Sequence, residues 1–304
     1  MFFKKILLAV TPSPESDYAA REAISLALQN HAKLYVFHAC GMEYGWGQVR
    51  HLVPCGEVEK IQAHLKEYYQ EMTSTLPEVV FEVTPGLPHT EILRFARRNK
   101  IDLIVMGPHA SKEVECRSSI WGTAGSCLEK VSQKARCPVL IVTRPVRETT
   151  EDTHQILVAT DFSQPGNHAL NYGRRMAREY KAGLHVFHAV SVHGGYRGVR
   201  QDQEAIEAGC VDAVARINHE CAGQLEGIPE FSAEAWEGIP YQEILKSARQ
   251  NNADLIIMAH HSKDTKDEAF MGSTMVRVAL RAHCPVMSVN YHAIAGKIRE
   301  DETD

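Results

Sequence analysis

Apolar residues along this chain fall in short unbroken runs, separated by stretches with a helical period. The runs Ile6–Val10 (ILLAV), Leu34–Ala39 (LYVFHA), Leu103–Gly107 (LIVMG) and Val139–Val142 (VLIV) are each four to six residues long and rich in Val, Ile and Leu. Unbroken apolar runs, in contrast to strict alternation, mark strands covered on both faces, as in a parallel sheet. Between the runs, Val58, Ile61, Leu65, Tyr68, Met72 and Leu76 recur at spacings of three and four. That spacing predicts a helix across 56–76 with one apolar stripe to lay on the sheet. Ile206, Cys210, Val214, Ile217, Cys221 and Leu225 repeat the pattern further along. Strands alternating with such helices predict a doubly wound α/β architecture.

The chain then repeats itself. Lys4–Ser13 (KKILLAVTPS) returns as His154–Ser163 (HQILVATDFS), and Ala32–Ala39 (AKLYVFHA) as Ala182–Ala189 (AGLHVFHA), each 150 residues later. Gly86–Gly107 (GLPHTEILRFARRNKIDLIVMG) is answered by Gly238–Ala259 (GIPYQEILKSARQNNADLIIMA). Gly125–Val142 (GSCLEKVSQKARCPVLIV) is answered by Gly272–Val289 (GSTMVRVALRAHCPVMSV). Four matches in one order mean a duplicated domain. The expected boundaries are 1–144 and 153–293, with a polar linker around Arg144–His154 and a disordered acidic tail over 294–304. The last strand of each copy follows a Cys-Pro. At a sheet edge its unpaired backbone would be a liability, which pairing of the two copies within one chain would remove.

Composition narrows the classes. The 304 residues suit two domains, each with its own core. A net charge of −5, with no long Lys/Arg block, excludes a general electrostatic grip on nucleic acid or an anionic membrane. The start MFFKKILLAV is too short for a signal peptide and reads as a buried first strand, and no run approaches a membrane span, so a cytoplasmic protein is expected. The eight cysteines include no C-x-x-C pair and are expected to remain thiols. The histidines form no metal-binding motif, so no metal is expected.

The ordered set of landmarks resembles the universal stress protein family in its tandem-domain form. These are ILLAV/ILVAT with its turn, VFHA in both copies, the G-x-P start of a helix leading to DLIVMG/DLIIMA, and the Gly-Ser before CPV. The resemblance covers nearly the whole chain apart from the linker and tail. It implies an α/β fold of two tandem flavodoxin-like or Rossmann-like domains, each a five-stranded parallel sheet flanked by helices. Some members bind ATP and others do not. Binding members carry an Asp at the end of the first strand and a G-x2-G-x9-G-(S/T) loop after the fourth. Such a loop suits phosphate, because glycines let the backbone approach the oxygens and a helix N-terminus offers free N–H groups.

By this resemblance the second copy is the stronger nucleotide site. Its candidates are Asp161 and Ser163 after the first strand, backbone in the turn after VFHA near Ala189, and the loop Ala259-x2-Ser262-x9-Gly272-Ser273. That loop keeps the family spacing and the final Gly-Ser, but Ala and Ser replace its first two glycines. The first copy is weaker. Thr11 stands where the Asp would be, Ala39 matches Ala189, and the loop opens with Gly107 and Ala110, but fourteen residues instead of nine separate Ala110 from Gly125-Ser126. Ser126, Ser163, Ser273 and Asp161 also have a plain reading as helix caps or turn formers. Gly86-x-Pro88 and Gly238-x-Pro240 read as a turn plus helix start. The segment HSKDTKDEAF is slightly acidic, so ATP would need Mg²⁺ or backbone donors.

Two functions follow. One is a stress-response regulator or sensor that binds ATP or another adenine nucleotide. The other is a non-nucleotide interaction module acting through an unknown protein partner or as a homodimer. No enzyme motif appears, and slow hydrolysis of bound ATP is the most the sequence suggests.

Overall fold

A computed structural model describes residues 2–40, 56–107, 125–146, 154–191, 203–259 and 274–290. The chain divides into two compact units, Met1–Pro145 and Val146–Tyr291. The first unit runs β1 (Lys5–Ala9), α1 (Pro14–Asn30), β2 (Lys33–Cys40), α2 (Glu57–Thr73), β3 (Val79–Pro85), α3 (Pro88–Asn99), β4 (Leu103–Met106), α4 (Gly125–Lys134) and β5 (Val139–Ile141). The second runs β6 (Gln155–Ala159), α5 (Gln164–Tyr180), β7 (Gly183–Val190), α6 (Gln203–Cys221), β8 (Phe231–Glu237), α7 (Pro240–Gln250), β9 (Leu255–Ala259), α8 (Thr274–Arg281) and β10 (Val286–Val289).

Within the first unit the strands lie in the order β3-β2-β1-β4-β5, and every adjoining pair is parallel. Within the second the order is β8-β7-β6-β9-β10, again all parallel. Each unit is therefore the doubly wound α/β sheet that the apolar runs predict. The central strands carry the core: Ile6, Leu7 and Leu8, and Leu157 and Val158, have no exposed surface, and Ile156 has almost none. The predicted stripe on the second helix is displaced, however. Leu65, Tyr69 and Thr73 are buried on α2, while Tyr68 and Met72 are only half-buried. From Leu65 the buried face continues by four-residue steps to Tyr69 and Thr73, where the predicted stripe stepped by three to Tyr68.

The two G-x-P motifs are structural, as their sequence suggests. Gly86 and Gly238 hold φ of +153° and +144°. A Cβ there would lie 2.8 Å from Glu91 Cγ and 2.7 Å from Glu243 Cγ. Glycine is needed for the backbone angle and for the glutamate that folds back over it. Pro88 and Pro240 then start α3 and α7 where no N–H donor is required.

Among the described residues, Cys40, Cys127, Cys137, Cys210, Cys221 and Cys284 form no disulfide. No helix among them is long and apolar enough to cross a membrane.

Candidate functional site

In each unit the strand order reverses between the first and fourth strands, β1 and β4 or β6 and β9. Ligands of open α/β sheets lie in the crevice off the carboxyl ends at such a reversal. In the second unit Ala159 is in register with Met258, so the chain leaves β6 toward Asp161 beside the place where β9 ends at Ala259. Asp161, Ser163 and Ala259 are thus brought to the carboxyl end of the sheet.

The turn after β6 is tightly organised. The Ser163 amide donates to Asp161 Oδ1 at 3.1 Å, and Ser163 Oγ donates to the same oxygen at 2.6 Å. Ser163 Oγ also accepts from the Gly166 amide at 3.1 Å, capping α5. The cap reading of Ser163 is therefore realised, and it fixes the carboxylate beside a helix N-terminus. Gly166 makes this closeness feasible, because a Cβ there would lie 2.5 Å from Asp161 Oδ1. Between the two sits Phe162, a non-glycine residue at φ +61°. Its amide donates to Thr160 Oγ1 at 3.1 Å. Its ring lies 4.5 Å from the His188 ring, and the Arg216 guanidinium lies 4.3 Å from its centroid on α6. His188 Nδ1–H donates to the Thr160 carbonyl at 2.8 Å, tying β7 to the end of β6.

The first unit keeps only part of this. His38 Nδ1–H donates to the Val10 carbonyl at 2.8 Å, as His188 does to Thr160. Thr11 is exposed and supplies no carboxylate, Pro12 replaces Phe162, and buried Ser16 takes the place of Gly166. With no carboxylate to admit, this unit has no need for glycine at the third helical position. Gly107 follows β4 and is not among the positive-φ glycines, and a Cβ there would meet Ala19, Glu15 and Val142 no closer than 3.6 Å. Among the described residues nothing crowds an alanine at this point, in keeping with Ala259 at the matching position.

Ala39 and Ala189 differ from expectation. They lie inside β2 and β7 and not in the turns beyond, because the neighbouring strand keeps pairing as far as Cys40↔Pro85 and Val190↔Glu237. Gly125 and Ser126 open α4. Ala110, Ser262, Gly272 and Ser273 lie outside the described residues. Among the described residues no group of three His, Cys, Asp or Glu side chains is placed to hold a metal. Sequence reasoning did not single out Gly166, Phe162, His188 or Arg216. Reading the copies against each other at Pro12/Phe162 and Ser16/Gly166 would have flagged two of them.

The sequence profile of the Universal stress protein family matches residues 2–143 and again residues 153–290. A universal stress protein of Methanocaldococcus jannaschii is 32% identical over 154 residues, spanning 48% of this chain and 85% of that one. One from Thermus aquaticus is 31% identical over 134 residues, spanning 44% of this chain and 96% of its own. The fold of the crystallised universal stress protein of Archaeoglobus fulgidus superimposes with a TM-score of 0.69 at 24% identity, covering 94% of this chain and 96% of that one. The chain belongs to the universal stress protein family, with one family domain in each half.

Proposed function

We propose that this chain is a cytoplasmic stress-response regulator or sensor that binds an adenine nucleotide, ATP foremost, in its second domain. The observation that carries this reading is the Asp161 carboxylate, held by Ser163 at the strand-order reversal beside the start of α5. An anchored carboxylate accepts ribose hydroxyls or an exocyclic amine, both of which adenosine offers. The loop from Ala259 to Ser273 would supply backbone donors to the phosphates. Its slightly acidic charge favours a nucleotide brought as its Mg²⁺ complex. The tolerated Cβ at Gly107 supports Ala259 as a working substitute for the family glycine. In the same reading the two domains of one chain pair through their last strands, leaving other surfaces for homodimer or partner contacts.

The test is to purify the protein without added nucleotide, denature it and resolve the released small molecules by ion exchange, with Asp161→Ala and Gly272→Val alongside. Near-stoichiometric ATP or ADP that is absent from both variants supports the reading. A blank, followed by no heat on titrating Mg-ATP to millimolar, overturns it in favour of an interaction module.

A further inference from the structure

We propose that Arg216 is a positioning residue of the second domain's nucleotide site, holding Phe162 in the left-handed turn that presents Asp161. The inference rests on the nucleotide reading above.

Phe162 sits at φ +61°, a region disfavoured for a bulky side chain, so surrounding contacts must hold it there. The Thr160 hydroxyl takes its amide and the His188 ring packs against one side of it. Arg216 alone among the described residues grips both ends of the residue: its guanidinium lies 4.3 Å from the ring centroid, and its Nη2 donates to the Phe162 carbonyl at 3.3 Å. Arg216 is itself aimed by Glu220 one turn further along α6, with Nε to Oε1 at 3.0 Å. Asp161 is bonded directly to Phe162, so a turn that relaxes at 162 swings the carboxylate away from Ser163.

The first domain shows that this arrangement is not required by the fold. Buried Leu65, Tyr69 and Thr73 of α2 match buried Ala213, Ile217 and Cys221 of α6, which sets Tyr68 at the place of Arg216. Tyr68 turns elsewhere, donating to Asp17 Oδ2 at 3.4 Å. Pro12 stands at the place of Phe162, and a proline cannot adopt positive φ. The histidine contact survives in both domains. Four differences therefore travel together: carboxylate for Thr11, glycine for Ser16, left-handed aromatic for Pro12, and cation for Tyr68. The same sheet forms without any of them. Their joint presence serves the carboxylate.

The full chain is titrated by calorimetry with Mg-ATP and with adenosine, as wild type, Arg216→Ala, Arg216→Lys and Phe162→Gly, and as Phe162→Gly combined with Arg216→Ala. Arg216→Ala is expected to weaken both ligands about tenfold, since a displaced Asp161 is lost to both, and Arg216→Lys to restore little because it cannot stack flat and bond the carbonyl together. Glycine takes the left-handed angle without help, so Arg216→Ala should cost nothing further in the Phe162→Gly background. Wild-type affinity in Arg216→Ala, or an equal loss in both backgrounds, overturns the proposal. A loss for ATP but not adenosine also overturns it, making Arg216 a phosphate contact. If wild type binds neither ligand, the nucleotide reading falls and this proposal falls with it.

Discussion

Gly166→Ala tests how the carboxylate is held without requiring any ligand. The new Cβ would lie 2.5 Å from Asp161 Oδ1, 3.2 Å from Thr160 Oγ1 and 3.3 Å from Ser163 Oγ. Ordinary carbon contacts need the carboxylate to withdraw by about 1 Å. That movement breaks its bonds from the Ser163 amide at 3.1 Å and hydroxyl at 2.6 Å. Bonds to a charged group are worth about 1.5–3 kcal/mol each when sheltered. Asp161 is exposed and water replaces them in part, so a combined loss of about 1–2 kcal/mol is expected. Against this, alanine favours a helix over glycine by up to about 1 kcal/mol, less in the first turn. The net expectation is a second domain destabilised by up to about 2 kcal/mol. The decisive comparison is urea unfolding of Gly166→Ala with and without Asp161→Thr, the residue the first domain carries at Thr11. Once the carboxylate is gone, the 2.5 Å clash is gone and only the milder contacts with the Thr160 and Ser163 hydroxyls oppose the helix gain, so Gly166→Ala should cost much less than in the Asp161 background. The same cost in both backgrounds would refute the idea that glycine is there to admit Asp161.

Three further expectations follow from the same geometry. Buried His185 lies 2.8 Å from Ser232 Oγ and 3.0 Å from Ser247 Oγ. Burial lowers its pKa from the usual 6.5 and outweighs nearby Glu234. The unfolded chain therefore takes up that proton first. The stability His185 contributes is fully present above about pH 6.5 and declines as pH falls below it. His185→Tyr with Ser247→Phe, the Tyr35–Phe95 pair of the first domain, should flatten that dependence in urea unfolding between pH 7 and 5. Gly86→Ala and Gly238→Ala should each cost about 1–3 kcal/mol in unfolding free energy, being alike in φ and in crowding by Glu91 and Glu243. A cost in one domain alone would contradict the shared explanation. Burial pushes the Cys127 thiol up to about 11 and the Cys284 thiol up to about 12. Both should resist iodoacetamide at pH 8 until urea unfolds the chain, as read by mass spectrometry of the labelled peptides.

What the sequence by itself determined is the architecture. Runs such as ILLAV and VLIV, covered on both faces, admit little but a parallel sheet, and four ordered repeats admit little but two copies of it. Its punctuation was equally legible, since Gly86-x-Pro88 has one physical use and the structure puts it there. Asp161 and Ser163 were readable as candidates because capping chemistry and ligand chemistry both act locally. Only the tertiary structure decided how these residues are supported. Gly166 looks like a poor helix residue until Asp161 is seen filling the space a Cβ would take. Arg216 looks like a solvated charge on the polar face of α6 until that face is laid beside Phe162, 54 residues away. Local spacing carries propensity and periodicity. It carries no record of which distant side chain closes on a turn, because that depends on strand order and helix rotation, as the displaced stripe on α2 also shows.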